Sequence, residues 1–272
     1  MSDTASAPVI PRQASTVVLL RDRAGGGVEA FLLRRPARSS FAAEAHVFCG
    51  GTVDAADSDP AVLRHAPGFD PVERLARLRL GEDGASRDLC TGYHVAAVRE
   101  VFEESGILLG SDAAGGALAA GDAPRLSRAR QEMLDGAPFA SVLGAHGLRI
   151  APERLTYVAH FVTPEGVPKR FDTRFFVVAA PVDQEAGVHA GEATHGGWYA
   201  PQDLLDKHRG NFESLMPPTR IICGELAHHG STQDVIDDLG SRPVARILFE
   251  PRAVLIGRLP ELLPRPGDAM TS

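Results

Sequence analysis

The chain has 272 residues, with 28 basic against 35 acidic side chains and a formal net charge of −7. Its 44% hydrophobic and 23% charged composition is that of a soluble globular protein able to bury a sizeable core. The acidic balance argues against a nucleic-acid or anionic-membrane binder, and no apolar run approaches the roughly 20 residues that span a bilayer.

Residues 1–13 are small, polar and proline-bearing and are expected to form a disordered tail; they lack the basic and apolar regions of a secretory signal. Residues 15–21 (STVVLLR) and 28–34 (VEAFLLR) are β-rich runs on either side of three consecutive glycines, and read as a hairpin. No Gly-Lys-Ser/Thr follows Gly25–Gly27, so a plain turn is favoured over a phosphate loop. Residues 46–52 (HVFCGGT) are a short apolar piece broken by Gly50-Gly51. Residues 53–85 read as an acidic, loop-rich stretch around one short helical pattern at 72–80. Within it, Asp54, Asp57 and Asp59 lack the glycine and terminal glutamate of an EF-hand.

Residues 88–105 are strongly helical, and Gly106 can end them in a left-handed cap. Residues 111–124 are Ala/Gly-rich and read as a flexible loop or insertion, ahead of a helical pattern at 126–134. Strand patterns at 155–162 and 174–180 flank a Pro/Gly turn, and a short strand starts at Gly197. Residues 201–207 and 212–229 look helical, and 245–256 read as a terminal strand. The order predicts one mixed α/β domain over 14–200, with insertions at about 53–85 and 111–150. A helical extension and terminal strand at 201–272 pack on the same domain. Three widely spaced cysteines, Cys49, Cys90 and Cys223, suggest a reducing, cytoplasmic setting and make neither a disulfide framework nor a CxxC zinc site.

The chemistry is concentrated in Arg99-Glu100-Val101-Phe102-Glu103-Glu104-Ser105-Gly106-Ile107. At helical spacing Glu100, Glu103 and Glu104 share an arc of roughly 100°, with Val95, Val98 and Phe102 opposite. Three like charges within two turns repel, and a hard divalent cation with oxygen ligands relieves that repulsion. The plainer alternative is a solvated face in which Arg99 pairs with Glu103 at i, i+4.

This stretch resembles the second half of the Nudix box, Gly-x5-Glu-x7-Arg-Glu-U-x-Glu-Glu-x-Gly-U with U aliphatic. Counting back from Arg99, the box glutamate falls on Thr91 and the box glycine on Ala85, so the first half departs from the pattern. Phe48-Cys49-Gly50-Gly51 is similar to the Phe-Pro-Gly-Gly that precedes the Nudix helix, which splits the box by an insertion of roughly 35–40 residues, tolerable because closure entropy grows only logarithmically. Together with Leu32–Arg35, His46-Val47-Phe48, Thr163-Pro164-Glu165 and 169–176, this resembles the coenzyme A diphosphatase-like subgroup.

The resemblance implies an α/β/α sandwich with a mixed sheet. It implies Mg²⁺ or Mn²⁺ held by Glu100, Glu103 and Glu104. Glu104, or a loop carboxylate such as Glu192, would take a proton from water, and Arg99 would orient the glutamates. Gly50-Gly51 is expected beside the N-terminal end of the 88–105 helix. Arg34, Arg35, Lys169 and Arg170, with Gly50 and Gly51, are candidates for contacts to a small nucleotide-type substrate such as coenzyme A. No nucleic acid or membrane partner is expected, and a homodimer stays open. A catalytically silent binding module of the same fold is the alternative.

Overall fold

The STVVLLR run lies in strand β1 (Arg12–Asp22), which turns back at the three glycines into β2 (Val28–Arg34). Gly25, Gly26 and Gly27 all take left-handed φ values between 84° and 101°, so the turn geometry itself demands glycine. The computed structural model describes residues 9–37, 44–81, 84–188, 194–209, 211, 214–248 and 263.

Strands β3 (His46–Val47) and β4 (Cys49–Thr52) follow, then a 3-10 turn at Ala55–Ser58 and helices α1 (Pro60–Leu63) and α2 (Pro71–Leu78). The long helix α3 (Gly84–Ser105) leads to β5 (Gly110–Asp112), α4 (Ala123–Leu134), α5 (Phe139–Ala145) and β6 (Leu148–Ile150). Strands β7 (Thr156–Val162), β8 (Phe171–Ala179) and β9 (His195–Tyr199) precede α6 (Pro201–Lys207), α7 (Pro217–Leu226), α8 (Thr232–Ser241) and β10 (Arg246–Leu248).

Among the described residues, eight strands form one mixed sheet in the order β10-β7-β8-β1-β2-β3, with β4 also paired to β1 and β9 to β2. The β1–β8 and β10–β7 pairings are parallel and the rest antiparallel. Strands β5 and β6 make a separate antiparallel pair. Along β1, Val17 and Leu19 enter one hydrophobic core while Val18 and Leu20 enter another; in β8, Phe176 and Val178 divide from Phe175 and Val177 in the same way. Side chains alternate faces along a strand, so a strand covered on both sides reads as an unbroken apolar run. The first core is closed by side chains of α1–α5 and the second by α6–α8. The result is the expected α/β/α sandwich, and the C-terminal helices are one of its two outer layers.

Several local readings need correcting. Residues 53–85 are not mainly loop. Asp59 accepts the Ala61 N–H at 2.7 Å and Asp70 the Val72 N–H at 2.8 Å, and each caps a helix whose first residue is proline. Residues 111–124 are also ordered. The Asp112 carboxylate accepts from Ala114 and Gly116 N–H groups at 2.9 and 2.7 Å, closing a tight turn after β5. The helix expected at 212–229 is confined to Pro217–Leu226, and the terminal strand to Arg246–Leu248 among the described residues. Strands β5 and β6 and helices α5 and α8 are additional elements. No described helix is long and apolar enough to cross a membrane. All three cysteines are free and buried.

Candidate metal and active site

Helix α3 is not the one-sided helix that its pattern suggests. Every residue from Cys90 to Val98 is buried, Thr91, Ala96 and Ala97 included, because the sheet covers one side and α2 with the 55–58 turn covers the other. Gly92 permits this contact: a Cβ there would lie 2.7 Å from Ser58 Oγ and 2.8 Å from a Val53 methyl. Beyond this buried stretch the helix re-emerges at Arg99, and Gly106 ends it at φ 76°, donating its N–H to Phe102 O.

Arg99 organises the emergent turns. Its Nε and Nη2 donate to the two Asp57 carboxylate oxygens at 2.8 and 3.0 Å, and Nη2 also donates to Thr52 O at 3.0 Å. Its Nη1 donates to Glu100 at 2.8 Å and to Glu103 at 3.0 Å. The Arg99, Glu100 and Glu103 side chains are only 11%, 14% and 20% exposed, so solvent screens these charges weakly. Burial works against the Arg99 cation, but the Asp57 hydrogen bonds and the neighbouring carboxylates outweigh it and hold the group charged. Burial raises the Glu100 carboxyl to about 7; Arg99 pulls it down and Glu103 pushes it up.

Strand β4 supplies the other wall. Gly50 N–H donates to Glu104 Oε2 at 2.8 Å. A Cβ at Gly51 would lie 2.3 Å from Glu100 Oε1, so only glycine leaves room for that carboxylate. The split box is therefore closed in space, but the glycines meet the carboxylate end of α3 and not its N-terminal end as expected. Cys49 is buried beside them; burial and the Glu104 and Glu100 charges push its thiol pKa well up, and the thiol hydrogen-bonds Glu104.

Asp57 is the residue that the sequence reading missed. Gly51 and Asp57 stand at the Gly-x5-Glu spacing of the box, with aspartate for glutamate. The insertion thus begins after Asp57, not directly after the glycines. Thr91 is buried, and its hydroxyl caps the Arg87 carbonyl at 3.1 Å; it has no part in the carboxylate array.

The three glutamates do not stand as a preassembled ligand cage: among the described residues, no group of three or more His, Cys, Asp or Glu side chains is arranged to hold a metal. The donor set nevertheless fits a hard divalent cation. It is all oxygen, and Gly51 leaves the room that the Glu100 carboxylate occupies.

The basic candidates differ. Arg34 ends β2 and pairs with Glu44 at 3.1 Å, with Arg35 next to it. Lys169 is exposed on the turn before β8. Arg170 is buried and spends its guanidinium on Thr163 O at 3.1 Å and Val9 O at 2.7 Å, so its fork is engaged in the fold. Glu165 is exposed on the same turn as Lys169. Glu192 lies outside the described residues.

Comparison with known proteins agrees with this geometry. The model of the NUDT19 Nudix domain matches residues 11–222. The chain is 28% identical over 237 residues to the human acyl-coenzyme A diphosphatase NUDT19, covering 77% of this chain and 63% of that protein. It is 25% identical over 187 residues to putative nudix hydrolase 7 of Caenorhabditis elegans, covering 69% of this chain and 52% of the relative. The chain thus spans between half and two thirds of the length of these relatives. Among solved structures, a NUDIX hydrolase from Alicyclobacillus acidocaldarius superposes with a TM-score of 0.65 at 27% identity, covering 84% of this chain and 96% of that one.

Proposed function

The chain belongs to the Nudix hydrolase family, in the branch of the NUDT19 Nudix domain, and from that premise we propose that it hydrolyses the diphosphate linkage of coenzyme A or an acyl-coenzyme A. The observation that carries the proposal is the pairing of Gly50-Gly51 with Glu104 and Glu100, which puts an oxygen-rich wall against a strand that can approach it closely.

In this reading Glu100, Glu103 and Glu104 hold Mg²⁺ or Mn²⁺. When bound, the cation supplies neutralisation of the diphosphate charge and a more acidic water. Arg99, fixed from behind by Asp57, keeps Glu100 and Glu103 in register. The Gly50 N–H holds one oxygen of Glu104. Glu104, or Glu192, accepts the proton of the attacking water as the water oxygen bonds to phosphorus and the bridging P–O bond breaks, releasing two phosphomonoesters. Arg34, Arg35 and Lys169 are the cations we assign to the substrate phosphates; a 3′-phosphate would suit a guanidinium fork. The human relative's name as an acyl-coenzyme A diphosphatase supports the choice of substrate.

The test compares hydrolysis of coenzyme A, its 3′-dephospho form and NADH at equal concentration with Mg²⁺ or Mn²⁺. Preference for coenzyme A is expected. An unchanged rate without the 3′-phosphate, or a clear preference for NADH, removes the coenzyme A assignment and leaves diphosphate hydrolysis standing; no hydrolysis of any of them removes both.

A further inference from the structure

A cleft of about 390 Å³ opens between α2, α8 and the start of β7, and it shares no residue with the carboxylate site. Its volume is within the range of small-molecule sites, roughly 300–1,000 Å³. Two arginines one helical turn apart, Arg74 and Arg77, enter it from α2. Arg74 Nη2 donates to the Glu153 backbone carbonyl at 3.2 Å and Arg77 Nη2 to that of Tyr157 at 3.1 Å. Those bonds aim the guanidinium groups and leave most of their N–H donors over. Among the described residues neither arginine makes an ion pair. Burial, with Arg74 adding to it, lowers the Arg77 pKa, a condition that a bound anion relieves.

Leu78, Leu155, Thr156, Tyr157, Ile236 and His94 form further walls. Two carboxylates also border the cleft. Asp237 is exposed and accepts from Gln233 at 2.8 Å, and Glu153 packs beside Gly68, where a Cβ would lie 2.8 Å from its Oε1.

We propose that this cleft is a second ligand site, for a compact phosphomonoester with an apolar or aromatic body. One guanidinium fork satisfies a carboxylate, whereas two forks side by side match a dianion with three terminal oxygens. The apolar walls then cover the body that carries the phosphate. His94 stands six residues before Glu100, about 9 Å along the helix axis, so a ligand here presses on the helix that carries the glutamates. The proposal does not depend on the hydrolytic reading.

The experiment titrates inorganic phosphate and phenyl phosphate into the full chain at constant ionic strength, with a chelator present to keep divalent cations out of the carboxylate site. Calorimetry measures affinity, and isotope-edited NMR follows the His94 and Tyr157 ring signals. Saturable binding is expected, tighter for phenyl phosphate, with shifts at both rings. R74Q should weaken it at least tenfold, R74K less so, and R34Q not at all. Arg77 also holds a β7 carbonyl, so R77Q is read together with its circular dichroism, and R74Q alone suffices if R77Q unfolds. Absence of saturable binding at millimolar concentration, or binding that survives R74Q, or binding lost in R34Q, overturns the proposal.

Discussion

Asp57 takes both prongs of the Arg99 guanidinium, at 2.8 and 3.0 Å, although 42 positions separate the two residues in the chain. The pair fixes the side chain that in turn holds Glu100 and Glu103. Removing one partner of a buried ion pair leaves the other charge uncompensated. D57N is therefore expected to cost on the order of 3 kcal/mol in stability. It should also lower kcat more than it raises KM, because the glutamates lose their register. D57E should recover part of both. Urea denaturation and steady-state rates on the same preparations decide it; a D57N enzyme with unchanged kcat would show that Asp57 only braces the fold.

Glu104 accepts the Gly50 N–H at 2.8 Å, which places its carboxylate where the glycine strand meets the helix. E104Q should reduce the rate on the order of 100-fold or more with little change in thermal midpoint. A chelator should abolish wild-type activity reversibly. If E104Q stays active and responds to added Mn²⁺, the assignment of this face to the cation is wrong.

Gly51 offers a more selective probe than the glutamates themselves. G51A places a Cβ 2.3 Å from Glu100 Oε1 while leaving every carboxylate in the chain. Since the residue does not occupy the left-handed region, the backbone accepts alanine and the strain falls on the Glu100 side chain. Mn²⁺ affinity, followed by electron paramagnetic resonance, should fall at least tenfold. Unaltered affinity would mean that Glu100 is not a ligand.

His94 makes stability depend on acid. It is buried between the Phe69 and Phe176 rings, and its Nδ1 bonds the Cys90 carbonyl at 2.9 Å. Burial lowers its pKa to about 4 from the usual 6.5. The unfolded chain therefore binds the proton more readily than the folded one. The stability that His94 contributes is complete above about 6.5 and is lost as the pH falls towards 4. At 1.36 kcal/mol per pKa unit, its largest share of that loss is about 3 kcal/mol. Urea midpoints measured from pH 7.5 to 4.5 should decline, and H94Q should flatten part of the decline. An identical slope in H94Q would assign the acid sensitivity elsewhere.

How far the sequence was legible varied with the length over which each signal repeats. The β1–β2 hairpin, β7, β8 and α3 were readable because apolar periodicity persists across each of them and because Gly25–Gly27 and Gly106 punctuate their ends. Three-residue strands such as β5 and β6 are too short to show a period. The helical pattern at 72–80 matches α2 to within two residues at either end, whereas the start of α1 in Asp59-Pro60, an N-cap followed by a first-turn proline, was hidden by the surrounding polar composition. The carboxylate face was found through Glu100, Glu103 and Glu104. Asp57 was missed because counting back from Arg99 along one helix leads to Thr91, whereas counting forward from Gly51 leads to the residue that actually meets Arg99. Linear spacing finds a motif only where the backbone between its parts is uninterrupted.

The central strand pair has a consequence for biosynthesis. β1 runs parallel to β8, joining residues as distant as Leu20 and Ala179, and the face of β1 that carries Val18 and Leu20 is roofed by helices reaching to Leu239. A ribosome delivers β1 well before its roof. Until α7 and α8 emerge, the nascent protein carries a ready-made β1–β2 hairpin with one oily side bare, and its folding is governed by contacts of long sequence separation, which form slowly. Shortening the chain ahead of α8 would make that transient exposure permanent, and such a fragment should recruit chaperones or aggregate even though every residue of the carboxylate site is still present.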